Sequence, residues 1–251
     1  MGQDIRYVCE RCGRVRAFAL IAILTLTLGI GATTAIFSVV QAVLLRPLNY
    51  FEPERIVSFF EDQAGFGYPR TRVSPPPYLD LKAQTQIFQD VAAVNETGFN
   101  LGGGSEGARQ LSGALVTYNL FNVLGRPPMI GTAFSPEEDR PGANHVVLLS
   151  FPLWKTEFAG KLDIVGQTIR LNDEPYTVKG VMPPGFSFPD KEPSSIDIWV
   201  PRAFTPEELT NRRAHYLIAV GRLRQGVSLP EANAAIRVVS SQRARQYPNE
   251  M

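Results

Sequence analysis

The sequence predicts an α+β protein: one N-terminal transmembrane helix followed by a two-lobed domain on the far side of the membrane. Three observations predict it. Residues Ala17–Leu45 contain no charged side chain. Four arginines, Arg6, Arg11, Arg14 and Arg16, crowd the segment before them. After Pro47, short runs with alternating apolar residues are interleaved with runs of helical spacing and punctuated by Gly and Pro, the pattern of mixed sheet and helix.

The apolar run is taken first. About 20 apolar helical residues span the hydrocarbon core of a bilayer, at about 1.5 Å rise each. The run exceeds that length, so the surplus projects as a stalk, and Arg46-Pro47 ends it because proline breaks the hydrogen-bond ladder. A cleaved signal peptide carries a shorter apolar stretch before its small-residue site, and a soluble helix keeps a polar face. The arginine excess places residues 1–16 in the cytoplasm and the domain outside it. Gly29, Gly31 and Ala35 are the helix-packing candidates, small residues that let a second helix approach closely.

Along the domain, Arg55–Glu61 reads as a strand. Ser74 reads as an N-cap before Pro75–Pro77, with Tyr78, Leu81, Thr85 and Phe88 on one helical face. Val91–Asn95 is a strand, and residues 102–107 (GGGSEG) a loop tip. Gln110–Thr117 alternates as a strand, and Tyr118–Leu124 is a short helix closed by Gly125. His145–Ser150 is a strand, followed by a helix over Phe151–Phe158. Gln167–Asn172 and Tyr176–Met182 form a hairpin turning at Asp173-Glu174-Pro175, and Ile196–Pro201 is a strand. His215–Leu223 is the last strand. Ser228 and Glu231 form a capping box for a helix whose Leu229, Ala232, Ile236 and Val239 face a sheet. The order is β-α-β, a β-rich insertion, then β-α. This divides residues 47–251 into an outer lobe (about 50–97 and 215–251) and an inserted lobe (about 98–214).

Composition narrows the function. The 251 residues carry a net charge of +1 with no basic block, which argues against nucleic acid. The two cysteines, Cys9 and Cys12, precede the apolar run, so the domain is no disulfide scaffold. Their CxxC lacks a second ligand pair at metal spacing, and no metal site is expected. Glycines 102–104 lack the Gly-Lys-Ser/Thr of a phosphate loop, and no cofactor is expected. His145 and His215 are the only histidines, each heading an apolar strand. Ser150 is not in a G-x-S-x-G elbow and reads as a helix cap. Glu137-Glu138-Asp139 and Glu207-Glu208 read as first-turn residues favoured by a helix dipole. No catalytic residue is expected. A hydrolase would require His145 or His215 to meet a carboxylate and a hydroxyl in one cleft.

Longer stretches carry a resemblance. Phe18–Pro47 followed by Pro53-Glu54-Arg55-Ile56-Val57 resembles the first membrane helix and stalk of MacB/FtsX-type ABC-transporter permeases. Leu149-Ser150, Leu153-Trp154, Ile164–Ile169, Val178–Phe186, Asp197–Pro201 and Gly221-Arg222-Leu223 resemble their MacB-like periplasmic core domain. The resemblance implies a single-pass segment in a bacterial inner membrane with a two-lobed periplasmic module, working mechanically in efflux or export. It implies a separate ATP-binding subunit, remaining permease helices, a dimer in the full transporter, membrane lipid around the helix and a periplasmic partner protein. Family members have four membrane helices per unit; here Tyr247–Met251 come before any second span, so the chain reads as an N-terminal part of a permease. The alternative is a signal-anchored extracytoplasmic binding or scaffolding protein without transport.

Overall fold

The computed structural model describes residues 23–37, 50–63, 68–102, 109–186, 188 and 196–246. The chain divides into two units, Met1–Leu48 and Asn49–Met251. In the first, residues 23–37 form a helix, α1. Its threonines turn their hydroxyls onto their own backbone: Thr27 Oγ1 to Ile23 O at 2.7 Å, Thr33 Oγ1 to Gly29 O at 2.8 Å and Thr34 Oγ1 to Ile30 O at 2.7 Å. That internal bonding lets a hydroxyl sit in apolar surroundings at little cost. Among the described residues no helix is long and apolar enough to cross a membrane. The remainder of the predicted span over 17–46 lies outside the described residues.

The second unit is mixed α and β around a large sheet. Its strands are β1 (Ile56–Phe59), β2 (Glu61–Gln63), β3 (Tyr68–Thr71), β4 (Phe88–Gly102), β5 (Arg109–Val116), β6 (Ile130–Gly131), β7 (Val146–Leu149), β8 (Thr168–Leu171), β9 (Glu174–Val181), β10 (Ile198–Pro201) and β11 (Ile218–Leu223). Its helices are α2 (Pro75–Lys82), α3 (Leu120–Leu124), α4 (Phe151–Glu157), α5 (Pro206–Thr210) and α6 (Leu229–Gln246). Among the described residues, nine strands form one sheet in the order β1-β11-β4-β5-β10-β7-β9-β6, with β8 pairing β4 and β9. β11 lies between β1 and β4 and runs antiparallel to both. The long strand β4 passes through the position where the sequence suggests a lobe boundary and pairs with β5 from Val94 to Leu101.

The period-two pattern sorts the interior. On β4, Val91 and Ala93 face a cluster that contains Phe59, Tyr78, Leu81, Leu217, Ala219 and Ala232. Ala92 and Val94 point the other way, into a cluster with Leu120, Phe121, Leu124 and Trp199. α2 and α6 therefore cover one face of β1, β11 and β4, and α3 covers the other. A third cluster, with Leu111, Val147, Leu171 and Ile198, fills the β7–β9 end. Both faces of the sheet are covered, so several strands are apolar on both sides rather than alternating; β10 and β11 are buried at every residue.

Several local readings hold and some shift. The Ser228–Glu231 capping box forms, with Ser228 N donating to Glu231 Oε2 at 2.8 Å. Ser150 caps α4, accepting from Leu153 N at 3.2 Å. Gly125 closes α3 with a φ of 64°. The hairpin turn lies one residue earlier than the Asp-Glu-Pro signal suggests. Asn172 and Asp173 both take positive φ, the signature of a two-residue type I′ turn. Ser74 precedes α2 as expected but makes no side-chain cap bond. Pro75–Pro77 supply no N–H for it to accept, and its hydroxyl donates to Glu61 instead. α2 ends at Lys82, so Thr85 and Phe88 are not on its face. Glu137-Glu138-Asp139 lie in a turn rather than a helix, and Leu229 is 54% exposed rather than facing the sheet.

Candidate functional site

The residues that receive the polypeptide after the apolar segment are held by two arginines. Tyr50 is buried and sits edge-on to Phe186, with ring centroids 6.4 Å apart. Glu52 adopts a left-handed φ of 46°, and Pro53–Arg55 follow as a single 3-10 turn. Arg222, on β11, is 3% exposed. Its Nε donates to Val123 O at 2.8 Å and its Nη2 to Phe51 O at 2.7 Å, with Nη1 3.7 Å from the Glu52 carboxylate. Arg55 pairs with Glu52 and donates from Nε (3.0 Å) and Nη2 (2.7 Å) to Leu223 O. Burial and the nearby Arg55 lower the Arg222 pKa, and Glu52 and Glu54 oppose them. The planar guanidinium suits this task, because its fixed fork of donors serves two carbonyls on different segments at once. Gly125 makes room: a Cβ there would lie 2.5 Å from Phe51 Cβ and 3.2 Å from Arg222 Nη2. The left-handed Glu52, the closing Gly125 and the buried Arg222 thus form one junction between entering chain, α3 and β11.

A second polar cluster bridges β10 and its surroundings. Asp139 accepts from Ala203 N at 2.7 Å and from Tyr118 N at 2.9 Å. Burial raises its pKa, and the two N–H donors, Lys82 and Arg202 only partly oppose that. Arg202, 7% exposed, donates to Glu208 at 2.5 Å and to the Tyr216 hydroxyl at 2.7 Å, and lies over the Phe204 ring. Burial pushes the Glu208 carboxyl up, but Arg202 and the Thr205 N–H together hold it below its ordinary value. The predicted first turn at Glu207-Glu208 is real, a full capping box with Thr205.

The third cluster speaks to the hydrolase reading. Glu61 accepts from Ser74 N at 2.9 Å and Ser74 Oγ at 3.0 Å, and its other oxygen lies 2.8 Å from His215 Nδ1. A hydroxyl, a carboxylate and an imidazole are gathered, but in the wrong order. A nucleophile needs the base on its hydroxyl and the carboxylate beyond the base; here the carboxylate stands in the middle, and Ser74 is 1% exposed. The set ties β2, the turn before α2 and the approach to β11. Beside it is a cavity of about 380 Å³, lined by Phe59, Val73, Leu81, Ile236, Val239 and the Arg243–Asp80 ion pair.

The other predicted residues fall elsewhere. Gly29 and Gly31 lie on α1 with nothing within 4 Å of an added Cβ among the described residues, and Ala35 is on the same helix. His145 pairs with Glu174 at 3.0 Å on the surface and stacks near Tyr176. Cys9, Cys12 and the loop tip after Gly102 lie outside the described residues. Among the described residues, no group of His, Cys, Asp and Glu could hold a metal ion. Sequence reasoning missed Arg222, Arg202 and Asp139. A signal existed for the arginines: each sits in or directly after an otherwise apolar strand, where a charge is tolerated only with partners.

The architecture defines a class: a split β-α-β lobe built from β1, α2, β4, β11 and α6, continued through its sheet into a second, β-rich region. The family profile of the MacB-like periplasmic core domain matches residues 19–239. The chain belongs to that family, whose structural neighbours are extracytoplasmic regions of MacB/FtsX-like ABC-transporter permeases. The periplasmic region of MacB from Actinobacillus actinomycetemcomitans is similar at 17% identity and a TM-score of 0.56, covering 80% of this chain and 89% of that one. A domain described as that of a permease from Porphyromonas gingivalis is similar at 18% identity and a TM-score of 0.56, covering 77% and 86%. The extracellular domain of the ABC-type transporter YknZ from Gram-positive bacteria is similar at 13% identity and a TM-score of 0.52, covering 74% and 95%. At these identities the likeness is one of fold. Comparison with curated proteins returned no match.

Proposed function

We propose that this chain is the membrane-anchored periplasmic part of an ABC-transporter permease, passing ATPase-driven motion from its membrane helix into the domain for efflux or export. The observation that carries the reading is the junction at Arg222. A mechanical link needs the entering polypeptide fixed to the sheet, and two arginines bind Phe51, Glu52 and Leu223 across a long sequence separation. The partition follows: residues 1–16 cytoplasmic, 17–46 membrane helix and stalk, and 47–251 periplasmic, with an outer and an inserted lobe. The chain has no catalytic role, binds no nucleic acid, and works with a separate ATP-binding subunit, further permease helices and a second permease unit.

The test is affinity capture from gently solubilised membranes of cells that co-express the chain, the ATP-binding subunit and a chain bearing the remaining helices. The reading expects all three together, and expects Gly31→Leu to break the capture. Among the described residues a Cβ at Gly31 meets nothing within 4 Å, so a loss of capture from a chain still inserted in the membrane reports on a partner helix. Recovery of the chain alone would favour the anchored scaffolding alternative.

A further inference from the structure

We propose that the cavity between α2 and α6 is a binding site for a small amphiphilic monocarboxylate, a molecule with an apolar body and one carboxylate head that meets the guanidinium groups of α6. The inference rests on the fold of the second unit and not on the transport reading.

Three observations carry it. First, the space suits a small molecule. Its volume of about 380 Å³ lies within the range of about 300–1,000 Å³ that small-molecule pockets occupy. Phe59 closes it from the end of β1, Val73, Pro77 and Leu81 from the α2 side, and Ile236 and Val239 from α6. Water held against such walls is released when an apolar body takes its place, and that release is favourable in proportion to the apolar area covered. Second, the polar groups of the same lining select the sign of the head group. Its acids are engaged already: Glu61 by Ser74 and His215, Asp80 by Arg243, and Asp62 in contacts of its own. Its cations are not all answered. Among the described residues, Arg237 is exposed and has no acidic partner, and Arg243 Nε is buried without an acceptor. A cationic ligand would find no free carboxylate here, and a neutral one would leave both guanidinium groups as they are. Third, one helix carries both parts of the site. Ile236, Val239, Ser240 and Arg243 recur at the spacing that puts them on one face of α6. Apolar contact and charge are therefore offered along one rigid element. The planar fork of a guanidinium fits a planar carboxylate through two parallel hydrogen bonds.

The test uses the full 251-residue chain in nanodiscs of phosphatidylcholine, with a decanoic acid that carries a diazirine at mid-chain as the probe. Irradiation at increasing probe concentration, followed by peptide mass spectrometry, reads both the place of labelling and the half-saturating concentration. The proposal expects saturable labelling of α2 and α6 peptides that unlabelled decanoate displaces. Val239→Trp, which fills the cavity from a partly exposed wall position, is expected to weaken that labelling about tenfold with an unchanged circular dichroism spectrum, the equivalent of about two methylenes kept out of the cavity. Arg237→Gln is expected to raise the half-saturating concentration of the acid about threefold, as for an exposed ion pair, and to leave that of the diazirine methyl ester unchanged. Arg237 is exposed, so this arm holds whatever the folding of Val239→Trp. Labelling that stays on residues 23–37, or that does not saturate, would overturn the site as adventitious partition from the bilayer. Labelling that persists in a folded Val239→Trp would overturn the cavity as its seat. Equal effects of Arg237→Gln on acid and ester, no effect on either included, would overturn the carboxylate assignment.

Discussion

The Arg222 guanidinium reaches the Phe51 carbonyl at 2.7 Å across 171 positions of sequence. It joins the strand at the middle of the β1-β11-β4 unit to the first residues of the domain. Leu223, the next residue on β11, receives two donors from Arg55, so adjacent positions of one strand hold the entering chain from both sides.

Removing that side chain is costly. Arg222→Ala leaves the buried Val123 carbonyl and the part-buried Phe51 carbonyl without their donor, and is expected to cost about 2–4 kcal/mol of stability. Arg222→Lys recovers less than half, because an ammonium is a point donor that does not reproduce the planar fork. Chemical denaturation followed by tryptophan fluorescence measures both, and equal stability of Arg222→Ala and wild type would show the junction to be energetically idle.

Gly125 is tied to the same contact from the α3 side. Its φ of 64° is strained for any residue with a Cβ, and that Cβ would meet Phe51 at 2.5 Å. Gly125→Ala is expected to cost about 1–3 kcal/mol. Coupling to Arg222 is the sharper readout: the double variant with Arg222→Ala loses less than the sum of the single losses. Strict additivity would separate the two residues.

Asp139 gives a pH signature. Burial raises its folded pKa above the ordinary 3.8. In the window between 3.8 and the raised value the folded state holds more protons than the unfolded state. Its contribution is therefore full at low pH and is lost as pH rises through the folded pKa. Glu208, held low by Arg202, acts in the opposite sense: its contribution is lost as pH falls. Denaturation midpoints of wild type and Asp139→Asn, compared from about pH 3.5 to pH 6, are expected to show wild type losing ground to the variant as pH rises. A constant difference, or one that widens in favour of wild type, contradicts the assignment.

Much of the fold is legible in the chain because its cues are local. The Ser228–Glu231 box, the Ser150 cap and the left-handed Gly125 each need only neighbours in sequence. The order β-α-β, insertion, β-α follows from such cues, and the long family resemblance rests on the same stretches. What is not legible depends on distant partners. Glu61 reads as the end of a strand until the fold brings Ser74 and His215 to it. Asp139 reads as a helix first-turn acid until Tyr118 and Ala203 aim their N–H groups at it. The link from Arg222 to Phe51 has no local cue beyond a charge in an apolar strand. Its meaning appears only when β11 lies beside β1.

The account's central claim is an anchored domain on the far side of a membrane from residues 1–16. The chain has two cysteines, Cys9 and Cys12, both in that segment, which makes one measurement decisive. Labelling with a membrane-impermeant maleimide is done on spheroplasts expressing the wild type, and on spheroplasts expressing a Cys9→Ser, Cys12→Ser chain with Ser112→Cys on the exposed surface of β5. The account predicts labelling of the β5 cysteine in intact spheroplasts, and of Cys9 and Cys12 only after the membrane is opened. Labelling of Cys9 and Cys12 in intact spheroplasts, with the β5 cysteine protected until lysis, would contradict it.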